Sequence, residues 1–210
     1  LMNFVNSWLA EPWEQTEVKL DSNLVLEKQS KYPELIVPDD AVVLTGGIDV
    51  QRGSFYFTIR AWGYNMTSWN IAHGNVFDWQ DVEFIMSRQY ENNAGEQFQV
   101  RLCAIDSGDQ TDDIYELCAE NQDWLVPIKG SSNPMFSRYK VSNIDRVNSK
   151  AHGLKLFIVD GGQYKDMIAS RLNKPIGKGC WMVYQGCDQE YAEQITSEEK
   201  VLIKKAGQDT

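Results

Sequence analysis

Two carboxylates that end β-forming runs are the residues of this sequence best suited to chemistry. The run VVLTGGIDVQRG, which begins at Val42, places Asp49 after uncharged residues, and the run VRLCAIDSG reaches Asp106 in the same way. Two carboxylates held a few ångströms apart resist ionisation unless a cation lies between them. Mg²⁺ prefers oxygen ligands, and two such ions about 4 Å apart stabilise both the attacking and the leaving oxygen of phosphodiester hydrolysis. The two acids therefore form a candidate site for two Mg²⁺ ions.

Each strand-ending acid also has a purely structural interpretation. An aspartate after a strand often closes a turn or caps the next helix, and Asp106-Ser107-Gly108 is a common turn sequence. Asp160 ends the run LKLFIVDGG and precedes a helical pattern, so it is a candidate helix cap. The glycines before Asp49 are expected to leave room for a phosphate or for the neighbouring backbone. The residue pattern leaves the catalytic and the structural interpretation open.

The other reactive side chains are few. The four cysteines form no CxxC pair and have no histidines at ligand spacing, which argues against a zinc site and a disulfide framework. We expect the cysteines to be reduced, with Cys103 and Cys118 filling the core. Only two histidines are present, so His-based metal clusters and triads have little to build on. Carboxylates are the plentiful reactive groups.

The region from residue 41 onward predicts three strands, then a helix, a strand, a second helix and a strand. The run SFYFTIRAW alternates with the period of a half-buried strand, and the short QRG before it suits a hairpin. A short helix at the N-terminus and a polar linker to about residue 40 precede this region. A sixth strand, LKLFIVD, a helix, YKDMIASRL, and a closing helix, ITSEEKVLIKKAG, with a capping box from Thr196 to Glu199, follow it. The predicted strands of the central region are 42–50, 54–62, 68–76, 100–106 and 123–130, and its helices lie near 82–90 and 111–122.

This order predicts an α/β protein with a mixed sheet flanked by helices. The first three strands form an antiparallel meander, whereas strands four and five, reached through helical crossovers, lie parallel to strand one. When strands one and four are neighbours, their carboxyl ends meet at the edge where ligands of open α/β sheets bind. This arrangement brings Asp49 and Asp106 together.

The charge of the chain is unevenly distributed. A formal net charge of -10 argues against a nucleic-acid partner, because phosphate contacts need Lys and Arg. Residues 129–155 nevertheless carry six cations against a single acid, a net charge of +5. We interpret this segment as a DNA-binding loop, the alternative being an ordinary solvated loop. Its candidate DNA-binding residues are Lys129, Arg138, Lys140, Arg146 and Lys150.

Five motifs, in this order along the chain, resemble the nuclease domain of lambda-type phage terminase large subunits. They are FVNSWLAEPWE, VVLTGGIDVQ, CAIDSG with IYELC downstream, VPIKG, and FIVDGGQYKD. The resemblance covers nearly the whole chain. It implies a ribonuclease H-like fold and a metal-dependent endonuclease that uses Mg²⁺ or Mn²⁺ to cut concatemeric viral double-stranded DNA during genome packaging.

The resemblance also assigns roles to the acids. Asp49 becomes the first metal-binding residue, expected to bridge two ions, and Asp106 becomes the second. The third acid of such enzymes generally lies on a later helix, in an Asn-Glu-x-Leu-Asp type segment that does not occur before Thr210. Either an acid outside this sequence or Asp160 completes the site. The counterpart of Asp160 opens an Asp-x-x-Lys-like motif in the family, whereas here Lys165 stands five residues on.

The resemblance further implies a domain plan and a set of partners. Residues 1–40 are expected to be a helix and linker from the junction with an N-terminal ATPase domain, and residues 41–210 the nuclease domain. No GxxxxGK[ST] motif is present, so no P-loop is visible. The implied partners are double-stranded DNA, that ATPase domain, the small terminase subunit and the portal protein. No apolar run approaches the length of a membrane span, so we expect no membrane partner and a protein of the host cytoplasm.

Two other functions suit the same residues. One is a catalytically silent ribonuclease H-like scaffold that binds the portal or the small subunit through its aromatic surface, with Trp8 and Trp13 as anchors. The other is a DDE-type recombinase or a resolvase built on the same fold. Loss of plasmid cutting in an Asp49→Asn variant distinguishes the nuclease from the scaffold, and strand transfer or junction resolution identifies the recombinase or the resolvase.

Overall fold

The computed structural model describes residues 14–18, 21–108, 111–197 and 200–203, with side chains from residue 21 to residue 197 apart from residues 109–110. The predicted N-terminal helix lies outside these residues. Fourteen strands and five α-helices are formed by the described part of the chain. In chain order they are β1 (Glu14–Val18), α1 (Ser22–Leu26), β2 (Gln29–Pro33), β3 (Ile36–Val37), β4 (Ala41–Gln51), β5 (Ser54–Gly63), β6 (Ser68–Val76), α2 (Trp79–Ser87), β7 (Tyr90–Asn92), β8 (Gln97–Phe98), β9 (Val100–Asp106), α3 (Thr111–Glu120), β10 (Leu125–Gly130), β11 (Tyr139–Asn143), β12 (Lys155–Val159), α4 (Gly161–Leu172), β13 (Trp181–Gln185), α5 (Gln189–Thr196) and β14 (Lys200–Ile203).

The chain divides into two units. The smaller unit combines Leu1–Glu27 with Asp188–Thr210, and the larger unit is Lys28–Cys187. In the smaller unit β1 pairs with β14 in an antiparallel ladder. Its helix α5 begins after Asp188, whose carboxylate accepts a hydrogen bond from the Tyr191 N–H at 2.7 Å. None of the described helices is long and apolar enough to cross a membrane.

A nine-stranded mixed sheet organises the larger unit. The strand order is β11-β12-β10-β9-β4-β5-β6-β13-β2, and only β5 and β11 run against the other seven strands. The predicted meander is confirmed as β4-β5-β6, with β4 and β5 joined by the short hairpin turn. The predicted parallel strands are confirmed as β9 and β10, and β9 lies directly beside β4. The mixed α/β architecture inferred from the order of elements is therefore confirmed.

The two faces of this sheet differ in what covers them. Alternation along β4 and β9 directs Leu44, Ile48, Cys103 and Ile105 to one face, where they are buried. Helices α2 and α3 cover this closed face with Val82, Met86, Ile114 and Cys118. The opposite face, here called the open face, carries the alternate residues, of which Tyr56, Leu102, Tyr139 and Val141 are exposed.

The prediction of a closing helix is wrong for residues 200–203. Residues Lys200–Ile203 form strand β14, because Glu14–Val18 supplies an antiparallel partner. Thr196 is the last residue of α5 rather than the N-cap of the predicted closing helix. The helix expected to reach Tyr90 ends at Ser87, and Tyr90 lies in β7 with its hydroxyl donating to the Ile85 carbonyl at 2.8 Å.

Two parts of the larger unit have more regular structure than the sequence pattern indicated. Within the segment expected to be a linker, Gln29–Pro33 pairs with β13 at one edge of the main sheet. Within the basic segment, Tyr139–Asn143 pairs with β12 at the other edge. The boundary with a preceding domain, placed near residue 40, stays a prediction.

Candidate functional site

The register of β4 and β9 places Asp49 and Asp106 side by side. The last aligned pair of this parallel ladder is Ile48 with Ile105, so the two acids are the next residues on neighbouring strands. Both side chains lie on the open face, since Ile48 and Ile105 are buried on the closed one. Adjacent strands are roughly 4.8 Å apart, which is close enough for both carboxylates to bind one cation.

Local hydrogen bonds orient both carboxylates and leave one oxygen of each available. The Gln51 side-chain amide donates to Oδ2 of Asp49 at 2.7 Å, and the Gly108 N–H donates to Oδ1 of Asp106 at 3.2 Å. Asp49 is exposed and Asp106 is half-buried. Within the described residues, Oδ1 of Asp49 and Oδ2 of Asp106 accept no hydrogen bond. Oxygen donors of this kind fit Mg²⁺ or Mn²⁺, which retain waters and bind substrate phosphates at their other positions.

Asp160 occupies a different environment. Its carboxylate caps α4, accepting from the N–H of Gln163 at 3.1 Å on Oδ1, and it accepts from the N–H of Met135 at 2.8 Å on Oδ2. The Gln163 amide adds a bond to Oδ2 at 3.0 Å. The Met135 N–H, followed by the two Gln163 groups, lowers the pKa of Asp160 below its ordinary value, because these bonds stabilise the carboxylate. Both oxygens therefore already have structural partners.

The sheet geometry separates Asp160 from the other two acids. Ile128 of β10 is level with Asp106 on one side and with Phe157 of β12 on the other. Asp160 follows Phe157 by three residues, so it lies two strands sideways and about 10 Å further along the strand direction. Among the described residues, no three His, Cys, Asp or Glu side chains are grouped closely enough to hold a metal ion.

The five basic residues are not on one surface. Arg146 and Lys150 form ion pairs of 2.6 Å with Asp112 and Glu120. Both of these acids belong to α3, which covers the closed face. The neighbouring Ile144 and Ala151 pack on Tyr115 and Leu156 of the same face. The structure therefore places Arg146 and Lys150 on the far side of the sheet from the acid pair.

The three remaining basic residues lie on the strands β10 and β11 or directly before β11. Lys129 is exposed at the end of β10 and Lys140 is exposed on β11. Both are level with Ile158, which packs on the closed face, so alternation directs their side chains to the closed-face side of the sheet. Arg138 is exposed before β11, and its carbonyl accepts the Asp160 N–H at 2.8 Å. None of the ion pairs described in the structure involves these three side chains.

Gln51 and Tyr56 are site residues that sequence reasoning missed. Tyr56 is paired with Asp49 across the β4-β5 ladder and is exposed on the same face, while Gln51 donates to Asp49 directly. Further from the acids, Asn70 donates to Thr58 Oγ1 at 2.7 Å in a continuing polar row. The sequence signal that could have identified Gln51 is the two-residue period of a strand, because Asp49 and Gln51, two residues apart, share a face.

The glycines before Asp49 do not have the common role expected for them. A Cβ added to Gly46 would approach Met86 Sδ and Cys103 Sγ on the closed face, so this glycine makes room for core side chains. A Cβ added to Gly47 would approach only Thr58 Cγ2, at 3.2 Å, on the open face. The space beside the acids is therefore provided by Gly47.

The cysteines are buried and free, as expected. All four are reduced in the structure, and Cys103 and Cys118 belong to the main core cluster. Burial raises the pKa of the Cys118 thiol to about 12 and raises that of Cys103 further above its ordinary value. These groups are inert core residues rather than nucleophiles.

Comparison with known proteins agrees with the resemblance found in the motifs. The family model of the terminase large subunit gpA endonuclease domain matches residues 1–210. A terminase large subunit of Escherichia phage lambda is 27% identical over 139 residues, which cover 61% of this chain and 22% of that protein. A terminase large subunit of Enterobacteria phage P21 is 26% identical over 156 residues, which cover 68% of this chain and 24% of that protein.

The matches span about a quarter of the length of these relatives. No solved structure matches the chain. The family match covers every residue of the sequence, including the strands that carry Asp49 and Asp106. This chain belongs to the family of terminase large subunit gpA endonuclease domains.

Proposed function

We propose that this chain is a metal-dependent endonuclease domain that cuts concatemeric viral double-stranded DNA during genome packaging. The observation that carries the proposal is the side-by-side position of Asp49 and Asp106 on the open face of the sheet. Membership of the endonuclease family supplies the reaction class. The domain hydrolyses phosphodiester bonds of DNA in the host cytoplasm.

A ribonuclease H-like fold is part of this proposal. The meander β4-β5-β6, with β9 and β10 added in parallel beside β4, supports it, because this strand order agrees with the fold that the family resemblance implies. Acids on the two central neighbouring strands then lie at the carboxyl edge, where ligands of open α/β sheets bind.

Asp49 and Asp106 would hold Mg²⁺ or Mn²⁺ through their available oxygens. A pair of such ions supplies charge stabilisation for the attacking and leaving oxygens when bound. Gln51 holds the Asp49 carboxylate in one orientation through its 2.7 Å hydrogen bond. The Gly108 N–H does the same for Asp106, and the turn that follows β9 keeps that carboxylate at the end of the strand. The scissile phosphate would lie over Gly47, the smallest residue beside the pair.

The third ligand is proposed with two candidates. Asp160 is one, although its hydrogen bonds to Met135 and Gln163 already account for a carboxylate at this position as a helix cap. An acid outside the sequence is the other. Titration with Mn²⁺ separates them: an Asp160→Asn variant that binds Mn²⁺ as the parent does, while unfolding at a lower temperature, identifies a cap, whereas weakened Mn²⁺ binding identifies a ligand.

Binding of duplex DNA is proposed to involve Lys129, Arg138 and Lys140 more than Arg146 and Lys150. The last two already neutralise acids of α3. Contacts of cations with the phosphate backbone carry no sequence information, so cutting by this domain alone would be largely independent of sequence. An ATPase domain of the same subunit, the small terminase subunit and the portal protein are the proposed protein partners.

An Asp49→Asn variant tests the proposed function. It should fail to nick or linearise plasmid DNA in Mg²⁺ or Mn²⁺ while unfolding at the parent's temperature, since Asp49 is exposed. Asp123→Asn, at an exposed acid elsewhere in the same unit, is the matched control and should cut normally. Undiminished cutting by Asp49→Asn would show that the acid pair is not catalytic.

One observation favours a second function, a catalytically silent scaffold for the portal or the small subunit. The described residues bring together two acids, not three. Calorimetry with Mn²⁺ on the 210-residue chain distinguishes the two functions. Binding that disappears in Asp106→Asn supports the nuclease, and absence of both binding and cutting supports the scaffold.

A further inference from the structure

Two aromatic side chains stand exposed within the basic segment. Phe136 is 108% exposed and Tyr139 is 52% exposed, and Arg138 lies between them. A large ring exposed to water gives up part of the free energy that burial would provide. Exposed aromatic residues among cations are the components with which proteins bind unpaired nucleotides, because bases stack on the rings while the cations neutralise phosphates.

The strand β11 places the Tyr139 ring on the same face as the acid pair. Tyr139 is level with Val159, and its ring lies 6.3 Å from the ring of Phe157, measured between centroids. Phe157 is in turn level with Ile128 and Asp106 on the open face. Three strand spacings separate β11 from β9, roughly 14 Å. A nucleic-acid strand that reaches the acids can therefore extend over the Tyr139 ring, and Phe136 stands three residues before it in the chain.

A cationic groove adjoins the rings. It has a volume of ≈ 310 Å³ and is lined by Arg138 together with residues of α4 and the turn after it. Two further cations, Arg171 and Lys174, line it with a single acid, Asp166. Arg138 thus belongs both to the groove and to the aromatic pair. The groove has the charge that a chain of phosphates requires.

We propose that Phe136 and Tyr139, with the groove of Arg138, Arg171 and Lys174, bind single-stranded DNA beside the acid pair. The rings stack on unpaired bases, and the groove takes the phosphates of the same strand. The proposal rests on the proposed function in taking DNA as the ligand. It goes beyond that function in assigning this surface to an unpaired strand rather than to the duplex.

Fluorescence anisotropy tests the proposal, with the 210-residue chain in a metal chelator so that no DNA is cut. A labelled oligothymidine and a labelled duplex of the same length serve as probes. Phe136→Ala and Tyr139→Ala should each weaken binding of the oligothymidine about tenfold, the size expected for loss of one stacked base, and change duplex binding less than twofold. Phe84→Ala removes a ring that is 67% exposed on α2 and is the matched control, with binding unchanged.

Two further variants separate stacking from a general loss of structure. Phe136→Trp should restore binding of the oligothymidine, whereas Phe136→Leu should not, because only the indole ring stacks. Lys174→Ala should lower the slope of log affinity against log salt by about 0.7, the value for one phosphate on a single strand, whereas Lys150→Ala on the closed-face side should not.

The outcomes separate this proposal from the proposed function. Unchanged binding of the oligothymidine in Phe136→Ala and Tyr139→Ala, or an equal loss for both probes, would overturn the assignment of the rings to an unpaired strand. Either result leaves the Asp49→Asn cutting test unaffected. Conversely, an Asp49→Asn variant that still cuts DNA disproves the catalytic pair without changing the result of the binding assay, since that assay contains no metal.

Discussion

The two glycines that precede Asp49 provide a sharp test of the strand geometry. Gly46 and Gly47 are neighbours in β4, but their side-chain positions lie on opposite faces. A Cβ on Gly46 would lie 2.7 Å from Met86 Sδ and 2.8 Å from Cys103 Sγ, both on the closed face. A Cβ on Gly47 would meet only Thr58 Cγ2 at 3.2 Å. The same substitution, glycine to alanine, should therefore have different effects at the two positions.

The magnitudes follow from these contacts. Neither glycine has a positive φ, so alanine suits the backbone at both positions and stabilises by about 0.4–1 kcal/mol through the unfolded chain. At Gly46 this gain is opposed by overpacking, which costs about 1–3 kcal/mol in a closely packed core. We expect Gly46→Ala to lose about 1–2 kcal/mol and to melt about 2–8 °C lower. Gly47→Ala should range from unchanged to about 1 kcal/mol more stable.

Urea unfolding followed by tryptophan fluorescence measures both variants, and thermal unfolding checks the order. A Cys103→Ala substitution supplies the control, because it removes the β9 sulfur that the new methyl group of β4 would approach at 2.8 Å. The cost of Gly46→Ala should be smaller in the Cys103→Ala background than in the parent. Gly46→Ala as stable as the parent, or Gly47→Ala the less stable of the two, would refute the assignment of faces on which the acid pair depends.

Three other predictions follow from the described contacts. Asp160→Asn should lower stability at pH 7, and the difference from the parent should shrink as the pH falls below about 3.8, because the lowered pKa of Asp160 stabilises the fold only while the group is ionised. The four cysteines should react with a thiol reagent at pH 8 only after denaturation, since all are buried. Lys150→Ala should reduce duplex DNA affinity less than Lys140→Ala, because Lys150 is paired with Glu120 at 2.6 Å.

Each of these predictions has a distinct opposing result. The urea midpoint, measured at several pH values, reports the stability of Asp160→Asn. A difference from the parent that persists unchanged to pH 3 would show that the charge of Asp160 is not what stabilises the fold. Rapid labelling of the native thiols would show that the core opens readily. A larger loss of affinity for Lys150→Ala, measured by anisotropy at fixed salt, would mean that the ion pair with Glu120 opens on DNA.

Local patterns sufficed for the elements that build the site. The alternation in SFYFTIRAW and the apolar runs before Asp49 and Asp106 predicted β4, β5 and β9, and the helical crossovers predicted the parallel pairing of β9. The rules for connections and for the handedness of crossovers make the parallel pairing predictable, because they restrict a chain of alternating strands and helices to few arrangements. The neighbouring positions of the two acids thus followed from the sequence.

Pairings between distant segments could not be read in the same way. Strand β2 pairs with β13, more than 140 residues later, and β14 pairs with β1 across almost the whole chain. A short polar strand such as Gln29–Pro33 has no alternation to mark it, and its partner supplies most of the reason for its conformation. The run VLI before the C-terminus suits a helix or a strand, and only the presence of β1 selects the strand.

The basic segment shows the same limit in its charges. Composition treats its six cations as one group, but the fold pairs two of them with acids of one helix. Ile144 and Ala151 are buried against α3, so Arg146 and Lys150 are carried to the acids of that helix. The residues before Asn143 follow the edge strand instead, where Tyr139 lies on the open face. The local positive charge is therefore a sum of two parts: Arg146 and Lys150 are paired with acids of α3, whereas Arg138 precedes the open-face residue Tyr139.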